Sequence, residues 1–170
     1  QAIQLEREML DPLLELARLK IDTTRTTLHE LREIIRARVA ERESGEMSIM
    51  LQSFGFKHGV PVDANLLFDV RFLPNPYWQE DLRPQSGLQD EVSSYVVDSD
   101  QGREFLNLLE PLLRNIAVGM DGKRDLRIGI GCTGGRHRSV AVVEALARKL
   151  SAGSDLQVRA FHRDIDKDAR

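Results

Sequence analysis

The chain has 170 residues, of which 41% are hydrophobic and 30% are charged, and its formal net charge is -3. A chain of this length can bury about 70% of its unfolded surface, which is enough for one domain with an appendage. The small net charge gives no general attraction to nucleic acids or anionic membranes, and a single cysteine excludes an internal disulfide. No apolar run approaches the ~20 residues of a membrane span and no secretory signal is visible, so we expect a cytoplasmic protein without a membrane partner.

Residues 1–43 predict a helical segment. Apolar residues between Ile3 and Ala17 recur at near-helical spacing, and Pro12 predicts a bend in that helix. Such stripes are typical of a core or of a helix-pairing surface. Because residue 1 already lies within this pattern, we expect the chain to be part of a longer protein.

A second helix is indicated by a capping box formed by Thr27 and Glu30. The polar run at residues 41–46 includes a glycine and predicts a domain boundary. We therefore divide the chain into a helical segment, 1–45, and a second domain, 46–170.

From residue 47 onward, strand patterns alternate with helical patterns. The sequence predicts strands at residues 48–56, 66–73, 126–131 and 157–162, and helices at residues 88–97, 103–118 and 140–150. A short turn with Pro61 and Asp63 joins the first two strands. Alternation of this kind predicts an α/β fold with a small, open, mainly parallel sheet and flanking helices, preceded by the helical N-terminal segment.

The most informative segment reads GCTGGRHRS and occupies residues 131–139, between a predicted strand and a predicted helix. Unpaired backbone N–H groups and the positive end of a helix dipole attract an anion at such a point. Glycines let the backbone approach closely, while hydroxyls and guanidinium groups add hydrogen bonds. This segment, which we call the glycine loop, therefore predicts a phosphate site. The alternative is a tight turn with solvated arginines.

In open parallel sheets, ligands bind beyond the carboxyl ends of the strands. Four segments follow those ends here, at residues 54–59, 71–78, 131–139 and 162–163, and we expect them to meet at one rim. Lys57, His58 and Arg71 are candidate ligand contacts. The alternatives are plain surface positions for Lys57 and His58, and for Arg71 an ion pair with Asp69 or Asp63. Tyr77 and Trp78 either face the rim or cap the core, and Arg83, His162 and Arg163 are weaker candidates.

Cys132 and Arg138 match the C-x5-R-[ST] pattern of cysteine-dependent phosphatases, in which a thiolate attacks phosphorus. Cys132 is therefore the candidate nucleophile of an alternative, enzymatic function. The sequence shows neither a mobile aspartic acid nor an open nucleophile, so we favour a binding role without catalytic residues. The sequence indicates no metal site.

Three strings, SFGFKHGVPVDANLLFDVRFLPNPYW, LRPQSGL and IGCTGGRHRSV, resemble the RapZ/YvcJ family of bacterial nucleotide-binding and RNase-adapter proteins. The resemblance covers about residues 47–163. Residues 1–43 resemble the tail of the family's N-terminal kinase-like domain, which carries a Walker A loop and binds ATP or GTP. The chain has no G-x-x-x-x-G-K-[ST] motif, so we expect no nucleotide cofactor and no ATP or GTP hydrolysis here, and an ATP or GTP site in the full-length protein.

The resemblance implies a C-terminal domain that resembles sugar-phosphate-binding α/β folds, senses glucosamine-6-phosphate and binds small RNAs that it presents to an endoribonuclease. It also implies protein partners and a homo-oligomer, for which we expect a dimer. The tail at residues 163–170 mixes acidic and basic residues, which weakens attraction to an RNA backbone relative to basic-tailed members. The implied ligand residues are Lys57, His58, Arg71, Cys132, Thr133, Gly134, Gly135, Arg136, His137, Arg138 and Ser139.

Overall fold

The computed structural model describes residues 21, 23, 24, 26–32, 35, 47–120, 125–153 and 156–167. The chain divides into two compact units, Gln1–Ser44 and Gly45–Arg170.

In the first unit, residues 28–32 are helical. The Glu30 backbone N–H donates to Thr27 Oγ1 at 3.2 Å, and the Glu30 carboxylate accepts the Thr27 N–H at 2.8 Å, so the predicted capping box is confirmed. The predicted first helix lies outside the described residues.

The second unit contains one four-stranded sheet. Its strands are β1 (Ser48–Gly55), β2 (Leu66–Asp69), β3 (Asp125–Cys132) and β4 (Gln157–His162). The order across the sheet is β2-β3-β1-β4, and every neighbouring pair is parallel. The predicted α/β fold with a small parallel sheet is confirmed.

Three α-helices accompany the sheet in the described part of this unit: α1 (Asp90–Val97), α2 (Asp100–Gly119) and α3 (Arg138–Ser151). Short 3₁₀ turns follow β1 at Phe56–His58 and β2 at Pro76–Trp78. The core forms where the fully buried residues of β1 and β3 meet the apolar faces of α2 and α3. Its members include Leu51, Ile128, Ile130, Leu113, Val143 and Leu146.

Several boundaries differ from the sequence-based prediction. The second strand was expected to reach residue 73 but ends at Asp69, because the backbone N–H and guanidinium of Arg71 both turn back onto the Asp69 carboxylate. Helix α2 begins at Asp100, three residues earlier than predicted, since Ser99 caps it by accepting the Gly102 N–H at 3.0 Å.

The strand register places the carboxyl ends of the strands side by side. Gly55 of β1 lies opposite Cys132 of β3, Asp69 of β2 opposite Gly131, and His162 of β4 opposite Ser53. The chain segments that leave these strands therefore emerge at one edge of the sheet.

Candidate functional site

Hydrogen bonds join the segments beyond the strand ends. The Lys57 N–H donates to Thr133 O at 3.1 Å, and the Arg163 N–H donates to Ser53 O at 3.1 Å. On the other side of β3, the Val70 N–H donates to Gly131 O at 2.9 Å. Arg138 Nη1 also donates to Arg71 O, and Arg163 Nη2 donates to Gly59 O, so the four predicted segments contact one another at this edge of the sheet, which we call the rim.

Two glycines let the glycine loop lie against the end of β1. Gly135 has a φ of +84°, and a Cβ there would lie 2.6 Å from the backbone nitrogen of Gly55. A Cβ on Gly55 would lie 2.5 Å from the carbonyl oxygen of Gly134. Distances below 3 Å are too short for a methyl group against backbone, so both positions require glycine.

Helix α3 begins with unsatisfied donors. Among the described residues, the backbone N–H groups at 136–139 have no hydrogen-bond acceptor, and the first helical bond runs from the Ala141 N–H to His137 O at 3.0 Å. His137 precedes the helix without a side-chain cap. Free N–H groups and the helix dipole give this end of α3 a positive potential.

Arg138 brings a buried cation to the same place. The residue is only 6% exposed, and Nη1 donates to the carbonyl oxygen of Arg71 at 2.7 Å. Nη2 donates to Thr133 Oγ1 at 3.2 Å. Burial lowers the pKa of Arg138, but an arginine remains charged at neutral pH. The guanidinium thus joins residues 71–73 to the glycine loop and places a positive charge between them.

Arg136 has a different environment. Its guanidinium donates to three backbone carbonyls, those of Gln85 at 3.0 Å, Pro84 at 2.8 Å and Ile165 at 3.0 Å. Because every nitrogen of the guanidinium already has an acceptor, the geometry favours a structural role for this arginine over direct ligand contact.

His137 lies beside Arg136 at the start of α3. Its Nε2 lies 3.2 Å from the carbonyl oxygen of Arg83, so we assign the ring proton to Nε2. Burial lowers the pKa of His137, and the Arg136 charge adds to that effect. His137 is therefore neutral at pH 7 and contributes no net charge.

The side chains of Cys132 and Ser139 point into the glycine loop. Cys132 Sγ accepts the Gly135 N–H at 3.2 Å and lies 3.1 Å from Ser139 Oγ. Cys132 is 3% exposed and Ser139 is fully buried. The two residues thus support the loop from within.

The remaining candidates lie at the margin of the rim. Lys57 is exposed and His58 is half-buried. Arg71 pairs with Asp69 at 2.6 Å, as one alternative expected, and its guanidinium lies 4.5 Å from the centre of the Phe56 ring. This pair is half-exposed, so ligand contact by Arg71 stays a prediction.

The aromatic residues beyond β2 do not cap the core. Tyr77 and Trp78 are exposed, and their rings pack edge to face against each other. Arg83 lies over the Tyr77 ring, 5.0 Å from its centre.

Residues 47–166 match the family model described as the RapZ C-terminal domain. The chain belongs to the RapZ family. It is 48% identical to a nucleotide-binding protein of Methylococcus capsulatus over 172 residues, which cover 99% of the chain and 58% of that relative. It is 47% identical to a nucleotide-binding protein of Streptomyces avermitilis, covering 98% of the chain and 56% of the relative. The chain thus spans just over half the length of these relatives, and the predicted resemblance is confirmed.

The described part of this RapZ-family chain holds no helix with the length and apolar character that a membrane crossing needs. The same residues contain no cluster of three or more histidine, cysteine or carboxylate side chains suited to a metal ion.

Asp164, which no sequence pattern singled out, lies at the rim of this RapZ-family domain. Its side chain is fully buried, accepts the Gly55 N–H at 2.8 Å and pairs with Arg163 and Lys167 at 2.7 Å each. Burial alone would raise the pKa of Asp164, but the bonds from Arg163, Gly55 and Lys167 outweigh it and lower the pKa to about 2. In sequence this carboxylate stands in a run of mixed charges, which is typical of a solvated tail.

Proposed function

We propose that the second unit is the ligand-sensing domain of a RapZ-family nucleotide-binding protein, and that it binds a phosphorylated metabolite of the glucosamine-6-phosphate type at the glycine loop. The observation that carries this proposal is the buried guanidinium of Arg138 beside the unsatisfied N–H groups at the start of α3. A phosphate group would supply acceptors for these donors and a counter-charge for the guanidinium.

The exposed residues of the glycine loop indicate where the ligand would enter. Thr133 is exposed and Gly134 is half-buried, whereas Ser139 at the start of α3 is buried. A phosphate seated at Thr133 would find the Arg138 fork, which already reaches Thr133 Oγ1. Lys57, whose backbone N–H donates to Thr133 O, supports the proposal as a second positive charge next to the loop.

Isothermal titration with three compounds tests this assignment. We expect inorganic phosphate and glucosamine-6-phosphate to bind, and unphosphorylated glucosamine to bind far more weakly because it lacks the anion that the site would hold. Equal affinity for glucosamine and its phosphate, or no binding of either phosphate compound, would contradict the proposal.

In the full-length protein we propose that this domain reports a metabolite to a nucleotide-binding domain, and through it to a protein partner or an RNA. The relatives' description as nucleotide-binding proteins supports an ATP or GTP site outside the second unit. Residues 163–167 carry both signs of charge, so RNA attraction must come from elsewhere on the surface. We further propose a cytoplasmic homo-oligomer.

A cysteine-dependent phosphatase is the second candidate function. The contacts of Cys132 Sγ with the Gly135 N–H and Ser139 Oγ favour it, since they would stabilise a thiolate. In that mechanism the thiolate would form a bond to phosphorus and expel an alkoxide, which needs a proton, and water would then cleave the phosphocysteine. Asp69 lies next to the loop, but the hydrogen bonds from Arg71 lower its pKa, so it is ionised and has no proton to donate.

We therefore expect Cys132→Ser to keep its phosphate affinity within about threefold of wild type, because a thiol contributes little to anion binding. Neither protein should hydrolyse p-nitrophenyl phosphate above background. Ser139→Ala serves as the matched control, because it removes the other partner of the contact between Cys132 Sγ and Ser139 Oγ. Turnover by wild type that is lost in Cys132→Ser would favour the phosphatase over the sensor.

A further inference from the structure

Residues 163–167 follow β4 and lie behind the glycine loop. Arg163 donates through Nη2 to the carbonyl oxygen of Gly59 at 2.5 Å, and its guanidinium lies 5.6 Å from the centre of the Phe54 ring. The Lys167 N–H donates to Asp164 O at 3.2 Å, which closes a turn. These contacts fix the segment against the end of β1.

Asp164 is the centre of this arrangement. Its carboxylate accepts the Gly55 N–H, and Gly55 is the residue against which Gly134 packs. On the neighbouring residue of the loop, a Cβ at Gly135 would lie only 2.9 Å from the Asp164 Cβ. Asp164 thus touches the loop at Gly135 and holds the strand residue that supports Gly134.

Arg136 makes a second connection to the same segment. Its Nη1 donates to the carbonyl oxygen of Ile165 at 3.0 Å. Residues 164 and 165 therefore contact the loop at two successive positions, Gly135 and Arg136.

We propose that Asp164 is a positioning residue that sets the conformation of the glycine loop, so that affinity for a phosphate group depends on a side chain that does not contact it. The inference rests on the proposed function for its affinity readout. The effect of Asp164 on the loop conformation does not depend on that function, because it concerns the backbone at Gly134 and Gly135 whether or not a ligand is bound.

The geometry distinguishes positioning from a general contribution to folding. Asparagine at position 164 would keep an oxygen for the Gly55 N–H at nearly the same place, although it would weaken the pairs with Arg163 and Lys167. Alanine would remove all three contacts. If the hydrogen bond from the Gly55 N–H sets the conformation of the loop, Asp164→Asn should retain most of the phosphate affinity that Asp164→Ala loses.

The test is titration of the whole chain with inorganic phosphate, using Asp164→Ala, Asp164→Asn and the control Asp166→Ala, which removes an exposed carboxylate from the same segment. We expect Asp164→Ala to lose about tenfold in affinity, as for the loss of one charge-assisted bond, and Asp164→Asn and Asp166→Ala to stay within about threefold of wild type. Thermal unfolding confirms that each variant is folded. Should alanine prevent folding, Asp164→Ser replaces it, because its shorter side chain falls short of the Gly55 N–H.

Amide NMR spectra recorded without phosphate supply the independent readout. We expect the Gly134 and Gly135 resonances to move in Asp164→Ala and to stay in place in Asp166→Ala. Unmoved resonances in folded Asp164→Ala would overturn the positioning role, as would equal losses of affinity in the asparagine and alanine variants. If the resonances move but the protein binds no phosphate, the positioning role stands and the proposed phosphate site is refuted.

Discussion

Replacing Arg138 by alanine is expected to lower the affinity for phosphate by about ten- to a hundredfold, the effect of losing a charge-assisted hydrogen bond worth roughly 1.5–3 kcal/mol. Arg138 is the buried cation of the glycine loop, and its Nη2 already lies at Thr133, where the ligand would enter. In this buried setting the charge is screened less by solvent than on the open surface. Calorimetric titration with inorganic phosphate measures the change.

Two control variants separate ligand contact from structural support. Arg103 is an exposed arginine on α2 that pairs with Asp100, and Arg103→Ala removes the same charge away from the loop. We expect it to bind as wild type does. Arg138→Lys keeps the charge without the fork, so its affinity should lie between wild type and Arg138→Ala. Unchanged affinity in Arg138→Ala would refute this arginine as a ligand contact.

The second large effect is expected at Gly135. Gly135→Ala should lower the free energy of unfolding by roughly 3 kcal/mol or more, because alanine is strained at positive φ and its methyl group would meet backbone. The new Cβ would lie 2.6 Å from Gly55 N and 3.0 Å from the carbonyl carbon of Phe54. Neither neighbour can move without displacing β1. Urea unfolding followed by circular dichroism measures the loss.

Gly59 offers a matched control for that substitution. Its φ is +81°, close to the value at Gly135, yet no atom lies within 4 Å of the Cβ position. Gly59→Ala therefore reports backbone strain alone and, because its ψ of 159° combined with positive φ is adopted readily only by glycine, should cost about 1–3 kcal/mol. If the two variants lose equal stability, crowding at Gly135 contributes nothing and the close approach of loop and strand is not required.

The sequence predicted the strand, loop and helix around residues 131–139 because each depends on local chemistry. Alternating residues form β3, two glycines form the turn, and an apolar stripe forms α3. The sequence also predicted that the segments after the strands meet at the rim, because the carboxyl ends of parallel strands lie at the same edge of a sheet. The start of α3 was predicted at residue 140, two residues too late, because its first two residues are the polar pair Arg138 and Ser139.

The partners of individual side chains could not be predicted in the same way. Arg136 and Arg138 look equivalent in sequence, but Arg136 donates to three distant carbonyls, whereas the buried Arg138 joins the carbonyl oxygen of Arg71 to Thr133 Oγ1. Asp164 looks solvated because its neighbours are charged, and its burial depends on a long-range contact with Gly55. Such roles follow from tertiary packing, which local composition does not encode.

The three carbonyl partners of Arg136 have a consequence for how the site assembles. They lie 51, 52 and 29 residues away along the chain, so the loop reaches its final shape only after these distant segments have docked. Closing such long chain intervals is an entropic cost that precedes any benefit from the contacts. A peptide of residues 125–151 would contain the sequence of the strand, loop and helix but none of these anchors. The phosphate site would therefore form last during folding, and excised fragments would lack it.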